Sequence, residues 1–176
     1  MDKSLALLGL VDSGATHGYD LKHRYDEVFG RGRPIAFGQV YAVLARMIRD
    51  GHLMTLGEEA GAGPDRKRYA ITEAGRARVR TWLATPDAPA PDLVSNLFAK
   101  VVLACMLEAD ADELLDVQRM EHLARMRELT HAKQDAPLLE RLAIDSALFH
   151  LEADLRWIDM TSARLNDMQQ EIRHHG

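Results

Sequence analysis

Apolar residues recur along most of the chain at helical spacing. Leu5, Leu7, Leu8, Leu10 and Val11 form a short run after Ser4, which is placed to cap it, and Asp12-Ser13-Gly14 ends it with turn chemistry. A helix of about two turns is expected there. Tyr19/Leu21, Tyr25 and Val28/Phe29 predict a second helix over 19–29, with Gly30 as its C′ residue. After Arg31-Gly32-Arg33-Pro34, a third runs from Phe37 to Asp50, its apolar stripe made of Phe37, Val40, Leu44, Met47 and Ile48. Gly51 stops it.

The period then changes. His52 to Leu56 and Lys67 to Ile71 read as two strands around a Gly/Pro/Asp tip at Gly61 to Asp65, and Thr72 caps a further helix through Val79 and Trp82 to Leu83. Ala84-Thr85-Pro86-Asp87-Ala88-Pro89-Ala90-Pro91-Asp92 holds three of the six prolines and cannot continue a helix. Beyond it, residues 93–107, 110–135 and 138–173 read as three helices, and in the last Ile144, Leu148, Leu151, Leu155, Ile158, Ser162, Leu165 and Ile172 form a coiled-coil-like seam. The expected architecture is mainly α with a small β-hairpin, divided into residues 1–85, a linker at 86–92, and a helical domain at 93–176.

Charge divides at the same place. Residues 1–85 carry 13 Lys/Arg against 10 Asp/Glu, a net of +3, whereas the remainder carries 9 against 17, a net of −8. The overall −5 therefore does not argue against nucleic acid, because the two surfaces differ. The only cysteine, Cys105, sits in an apolar run where a buried small hydrophobe is expected, which fits a reducing cytoplasm. No apolar stretch approaches the roughly 20 residues that span a bilayer, and the N-terminus is too short and too lightly basic for a secretory signal. No membrane association is expected.

Three short helices followed by a hairpin is the order of a winged helix-turn-helix, whose third helix enters the major groove while the hairpin touches the adjacent backbone. A reading helix needs its first turns clear of bulky apolar groups, with amide and guanidinium groups aimed outward, because Gln pairs bidentately with adenine and Arg with guanine. Gly38, Gln39, Ala42 and Arg46 meet that requirement. Arg66, Lys67 and Arg68 lie where a wing would meet phosphate, although a solvated charge run has the same composition. Arg33 belongs to an Arg-Gly-Arg-Pro sequence suited to phosphate or the minor groove. Tyr19 and Tyr41 are candidate phosphate contacts or structural rings, and Lys22 and Arg24 form either backbone contacts or an ordinary wet face.

These residues resemble the PadR family of bacterial transcriptional regulators. The likeness runs through Leu5-Ala6-Leu7-Leu8-Gly9-Leu10, His17-Gly18-Tyr19-Asp20-Leu21, Phe37-Gly38-Gln39-Val40-Tyr41, Leu53, Arg66-Lys67-Arg68-Tyr69 and Ile71-Thr72-Glu73-Ala74-Gly75-Arg76, in order over about residues 4–84. The stretch Leu148 to Trp157 is similar to the longer branch of that family, whose helical domain is related to a virulence-gene activator. The resemblance implies a homodimer through the C-terminal helices, with the first helix contributing. It also implies repression at an inverted-repeat operator in double-stranded DNA.

The seam residues Leu148, Leu151, Leu155, Ile158 and Leu165 are the expected dimer contacts, although burial within one chain would use the same pattern. Trp82 and Trp157 are candidates for stacking on a small aromatic or drug-like effector, or for core packing. An effector-independent activator, and a winged-helix adaptor that docks a protein and reads no DNA, stay open as alternatives. Nothing points to an enzyme. Glu128-Leu129-Thr130-His131 lacks the second copy that a di-iron bundle needs, no His pair has metalloprotease or zinc-finger spacing, and phosphate-binding, dinucleotide and nucleophile-elbow motifs are missing. No cofactor or metal is expected.

Overall fold

Two helices are apolar over most of their circumference, and a helix of that kind is stable only when enclosed. In the computed structural model each lies at the centre of one of two units, Met1–Ala84 and Thr85–Gly176. The structure describes residues 2–30, 34–59, 66–88 and 93–175, without the side chains at 57–59, 66, 93, 95 and 175.

The first unit holds α1 (Lys3–Asp12), α2 (Gly18–Phe29), α3 (Phe37–Arg49), β1 (Leu53–Glu59), β2 (Arg66–Ile71) and α4 (Glu73–Ala84). Every residue of α1 from Leu5 to Val11 is buried, enclosed by α2, α4 and β2. Its cap is Asp2 and not Ser4: the Asp2 carboxylate accepts from the amides of Ser4 and Leu5 at 2.9 and 3.2 Å. An anion at that position also favours the helix dipole. At its other end Asp12 pairs with Arg76 of α4 at 2.9 Å.

Gly30 ends α2 at φ −71°, so it is not the left-handed residue its sequence suggests; a side chain there would run into the Asp26 backbone. Left-handed geometry does occur at Gly51, φ +76°, where the chain leaves α3 for β1. There Thr72 joins three elements: its hydroxyl donates to the Gly51 carbonyl at 2.7 Å and accepts from the Gly75 amide at 3.1 Å, capping α4. Gly75 is required by close approach, because a Cβ would sit 2.3 Å from the His52 carbonyl oxygen.

The hairpin pairs antiparallel from Leu53↔Ile71 to Glu59↔Arg66, with an irregularity between Thr55 and Glu58. Both strands outrun the five-residue runs expected for them. A short third rung, His17↔Arg68, with the Tyr69 amide donating to the Thr16 carbonyl at 2.8 Å, ties the start of α2 to the wing.

Asp26 positions α3. Its carboxylate is bonded by Lys22 at 2.7 Å and by the Ile35 amide at 2.7 Å, so α2 holds the segment that leads into α3. Burial pushes the Asp26 carboxyl up, but the hydrogen bonds from Lys22 and Ile35, with the charges of Lys22 and His23, hold it below its ordinary value.

The second unit holds α5 (Leu93–Met106), α6 (Ala111–Lys133), α7 (Leu138–Ser162) and α8 (Leu165–His175). Leu97, Ala99, Val101, Val102, Leu103 and Ala104 of α5 are buried, and so is Lys100 at 1% exposure. Glu108, at φ +53°, reverses the chain towards α6, and α7 packs along α6. The single helix expected over 138–173 is broken after Ser162, with no Gly or Pro to mark the break, and α8 lies against α5. Turning there covers the apolar surface of α5, a tertiary gain invisible to local periodicity.

Residues 86–88 are not the free spacer that proline content suggests. Lys100 Nζ donates to the Thr85 carbonyl at 2.6 Å and pairs with Asp87 at 2.8 Å. Asn96 donates to the same Asp87 carboxylate at 2.8 Å. Gln118 grips the Asp87 backbone twice, accepting from its amide at 2.8 Å and donating to its carbonyl at 2.7 Å. Next to Gln118, the fully buried His122 has Nδ1 2.8 Å from the Gln118 carbonyl and Nε2 3.5 Å from the Asp154 carboxylate. A buried ammonium in an apolar helix is tolerable only with such partners.

Two predictions follow from these ties. Asp26→Asn is expected to cost about 2 kcal/mol at pH 7, the scale of hydrogen bonds to a charged acceptor. Because the folded carboxyl lies below its ordinary 3.8, that contribution is complete above 3.8 and is lost as pH falls through the lower folded value. Urea unfolding across pH should therefore show wild type and variant converging only below that point. Asp87→Ala, which strips the carboxylate from a buried ammonium, should destabilise by about 3 kcal/mol. Lys100→Met keeps the stem volume without the charge and should cost much less, as thermal unfolding of the two variants would show.

Candidate nucleic-acid interface

The outward face of α3 follows from what it buries. Val40, Leu44 and Met47 face the core, leaving Gly38, Gln39, Tyr41, Ala42, Ala45, Arg46 and Arg49 exposed. A Cβ on Gly38 would meet nothing within 4 Å, so the first turn of α3 presents nearly bare backbone next to the Gln39 amide. The residues that precede α2 and α3, His17 and Ala36, make no side-chain capping bond. Amides at uncapped helix starts are ready donors to phosphate.

Tyr41 is fixed by contact. Its ring lies where a Cβ on Gly18 would stand, 2.6 Å from Cε1, so Gly18 is the space that admits the ring against the start of α2. Burial raises the Tyr69 phenol, and the neighbouring Tyr41 raises it further. Tyr41 is nevertheless 47% exposed, which leaves part of the ring available to a ligand at the α2–α3 edge.

Other candidates are placed differently from their sequence reading. Arg46 is exposed, but its guanidinium donates to the Ser4 hydroxyl of α1, so it does not project freely and Gln39 is the better-presented reading group. Lys22 pairs with Asp26 and lies over the Phe37 ring, 5.2 Å from its centroid, which makes it a structural cation first. Tyr19 is half exposed, stacks on Phe37 and meets the His23 ring at a tilt. Phe37 is 40% exposed and belongs to that surface cluster instead of the core stripe. On the wing, Lys67 is exposed and Arg68 partly buried. The Arg66 side chain, Arg33 and the hairpin tip lie outside the described residues.

In the second unit the expected dimer seam is largely used inside one chain. Leu151, Ile158 and Leu165 are buried at 2%, 0% and 3% exposure, and Leu148 and Leu155 are half-buried. A second line on α7 is uncovered instead: Leu139, Leu142, Ser146, Phe149, Ala153 and Met160, at heptad spacing, with Leu139 84% and Phe149 67% exposed. Periodicity alone does not separate the two lines, because both satisfy it; only packing against α6 identifies the inner one.

Trp82 and Trp157 are both half-buried, one in each unit. A groove of about 380 Å³ on α6, lined by Leu123, Met126, Arg127, Thr130, His131 and Gln134, includes neither. Cys105 is half-buried, not enclosed as its apolar run suggests, and partial burial still raises its thiol. Among the described residues no group of three or more His, Cys, Asp or Glu is arranged to hold a metal ion, and no helix is long and apolar enough to cross a membrane.

Residues 7–81 match the transcriptional regulator PadR-like family. The negative transcriptional regulator PadR of Bacillus subtilis is 25% identical over 126 residues, covering 70% of this chain and 69% of that protein. Its crystal structure with operator DNA aligns at a TM-score of 0.42 and 20% identity over 92% of this chain and 98% of that one. The Vibrio cholerae virulence activator AphA aligns at 0.39 and 25% identity over 94% and 98%.

Proposed function

Given that residues 7–81 match the PadR-like family of transcriptional regulators, we propose that the chain is a regulator of that type, a homodimeric repressor that reads an inverted-repeat operator through α3. The observation that carries this reading is the exposed first turn of α3, open at Gly38 next to Gln39, together with the uncapped starts of α2 and α3 and the exposed Lys67 on the wing. Base edges fall to Gln39, and to Arg46 once released from Ser4. Lys67, Tyr41 and the helix-start amides take phosphate.

Repression is favoured by the sequence likeness to a negative regulator. Dimerisation suits the outer α7 line, since a heptad stripe is self-complementary across a two-fold axis and two half-sites about 34 Å apart need two reading helices. Release by a small aromatic or drug-like effector belongs to the same reading, with Trp157 as the stacking surface offered by the second unit.

Selection of bound duplexes from a random pool, then titration at about 150 mM salt against scrambled DNA, tests the reading; specific binding typically falls at ~10⁻⁸ to 10⁻¹¹ M. An enriched palindrome supports it, and binding that salt abolishes on every sequence overturns it. On the enriched site Gln39→Ala should cost about 1–3 kcal/mol and relax preference at one base position, whereas Lys67→Ala should weaken all sequences alike and flatten the salt slope. Phe149→Glu should convert the dimer to monomer by sedimentation with its helical circular dichroism kept, and an unchanged mass would remove the outer α7 line as the interface.

A further inference from the structure

Three aromatic rings crowd the edge of the candidate reading surface. Tyr19 and His23 of α2 lie 4.3 Å apart by ring centroid, and Phe37, the first residue of α3, stacks on Tyr19 at 5.8 Å with an interplanar angle of 23°. Phe37 also meets the His23 ring edge-on at 6.2 Å, and the Lys22 ammonium lies 5.2 Å from its centroid. The Phe37 ring is thereby held by its neighbours while 40% of the residue stays exposed. Tyr19, half exposed, extends the same apolar surface.

Single exposed apolar residues need no explanation, but a contiguous, immobilised aromatic patch abutting a polar reading face does. Phe37 is next in sequence to Gly38, whose missing side chain leaves the surface open, and two residues before Gln39. Within the major groove the apolar feature available to such a ring is the C5-methyl group of thymine.

We infer that Phe37 reads a thymine methyl in the step adjacent to the base contacted by Gln39, with the Tyr19 and His23 rings fixing its orientation. The inference rests on the DNA-reading function proposed above. Burying one methyl group corresponds to about a fourfold change in affinity.

The test uses the full-length protein and its selected operator, with each thymine of one half-site replaced in turn by deoxyuridine, which removes only the methyl group. Wild type is expected to lose about fourfold at a single thymine position and little elsewhere. Phe37→Ala should bind the unmodified operator about fourfold more weakly and be indifferent to the replacement at that position. Phe37→Leu, which retains an apolar group at the helix start, should keep part of the thymine preference and checks that any loss in the alanine variant is not a folding defect. Wild-type indifference to deoxyuridine at every position would overturn the inference while leaving DNA reading intact, as would an equal deoxyuridine loss in Phe37→Ala. Failure of the selection to enrich any duplex would instead overturn the DNA-reading function itself and leave the aromatic patch as a protein-docking surface.

Discussion

Each unit is organised by a helix that is apolar over most of its circumference. From Leu5 to Val11, α1 presents apolar groups in every direction, so neighbours must surround it, and α2, α4 and β2 do so. With that enclosure made, α3 commits only Val40, Leu44 and Met47 to the interior and keeps its remaining length at the surface. A reading helix needs this economy of contact: enough burial to hold it rigid, with a broad face left for a ligand. The same constraint applied to α5 has a different result, because the enclosed stretch includes Lys100. Its ammonium cannot reach water and takes Thr85 and Asp87 as partners, so the segment just after α4 becomes part of the second unit's interior.

Short polar ties convert this packing into a defined surface. Asp26 binds the amide that precedes α3, Thr72 closes the junction of α3, β1 and α4, and the rung at His17 and Arg68 joins the start of α2 to the wing. These bonds bring together α3, the start of α2 and the second strand of the wing, which are distant in sequence. Tyr41 shows the local logic: the missing side chain of Gly18 makes the cavity its ring fills, and the ring then stands at the boundary of core and surface.

Helix α7 carries two apolar lines at heptad spacing. One buries Ile144, Leu151 and Ile158, and the other leaves Leu139, Leu142 and Phe149 in solvent. Exposure of several large apolar side chains along one helix is costly for a lone chain, which is why the proposed pairing of two copies is placed on that line. The charge division bears on the proposed DNA contact instead, since phosphate repels a −8 half and attracts a +3 half.

Most of the element order was legible from the amino-acid sequence. The helices through residue 49, the hairpin, the Thr72 cap, the Gly51 stop and the polar face of α3 all follow from periodicity and turn chemistry, which act within a few residues and are written in adjacent side chains. What only the tertiary structure decided depends on partners far along the chain. Asp2 in place of Ser4 as the first cap, Arg46 drawn to Ser4, Phe37 held at the surface by Tyr19, the break after Ser162, the capture of Asp87 by Lys100 and Gln118, and the choice between two equivalent lines on α7 left no local trace. A heptad stripe records that a face will be buried but not against what, and a buried lysine is recognisable only once the helix around it has been enclosed.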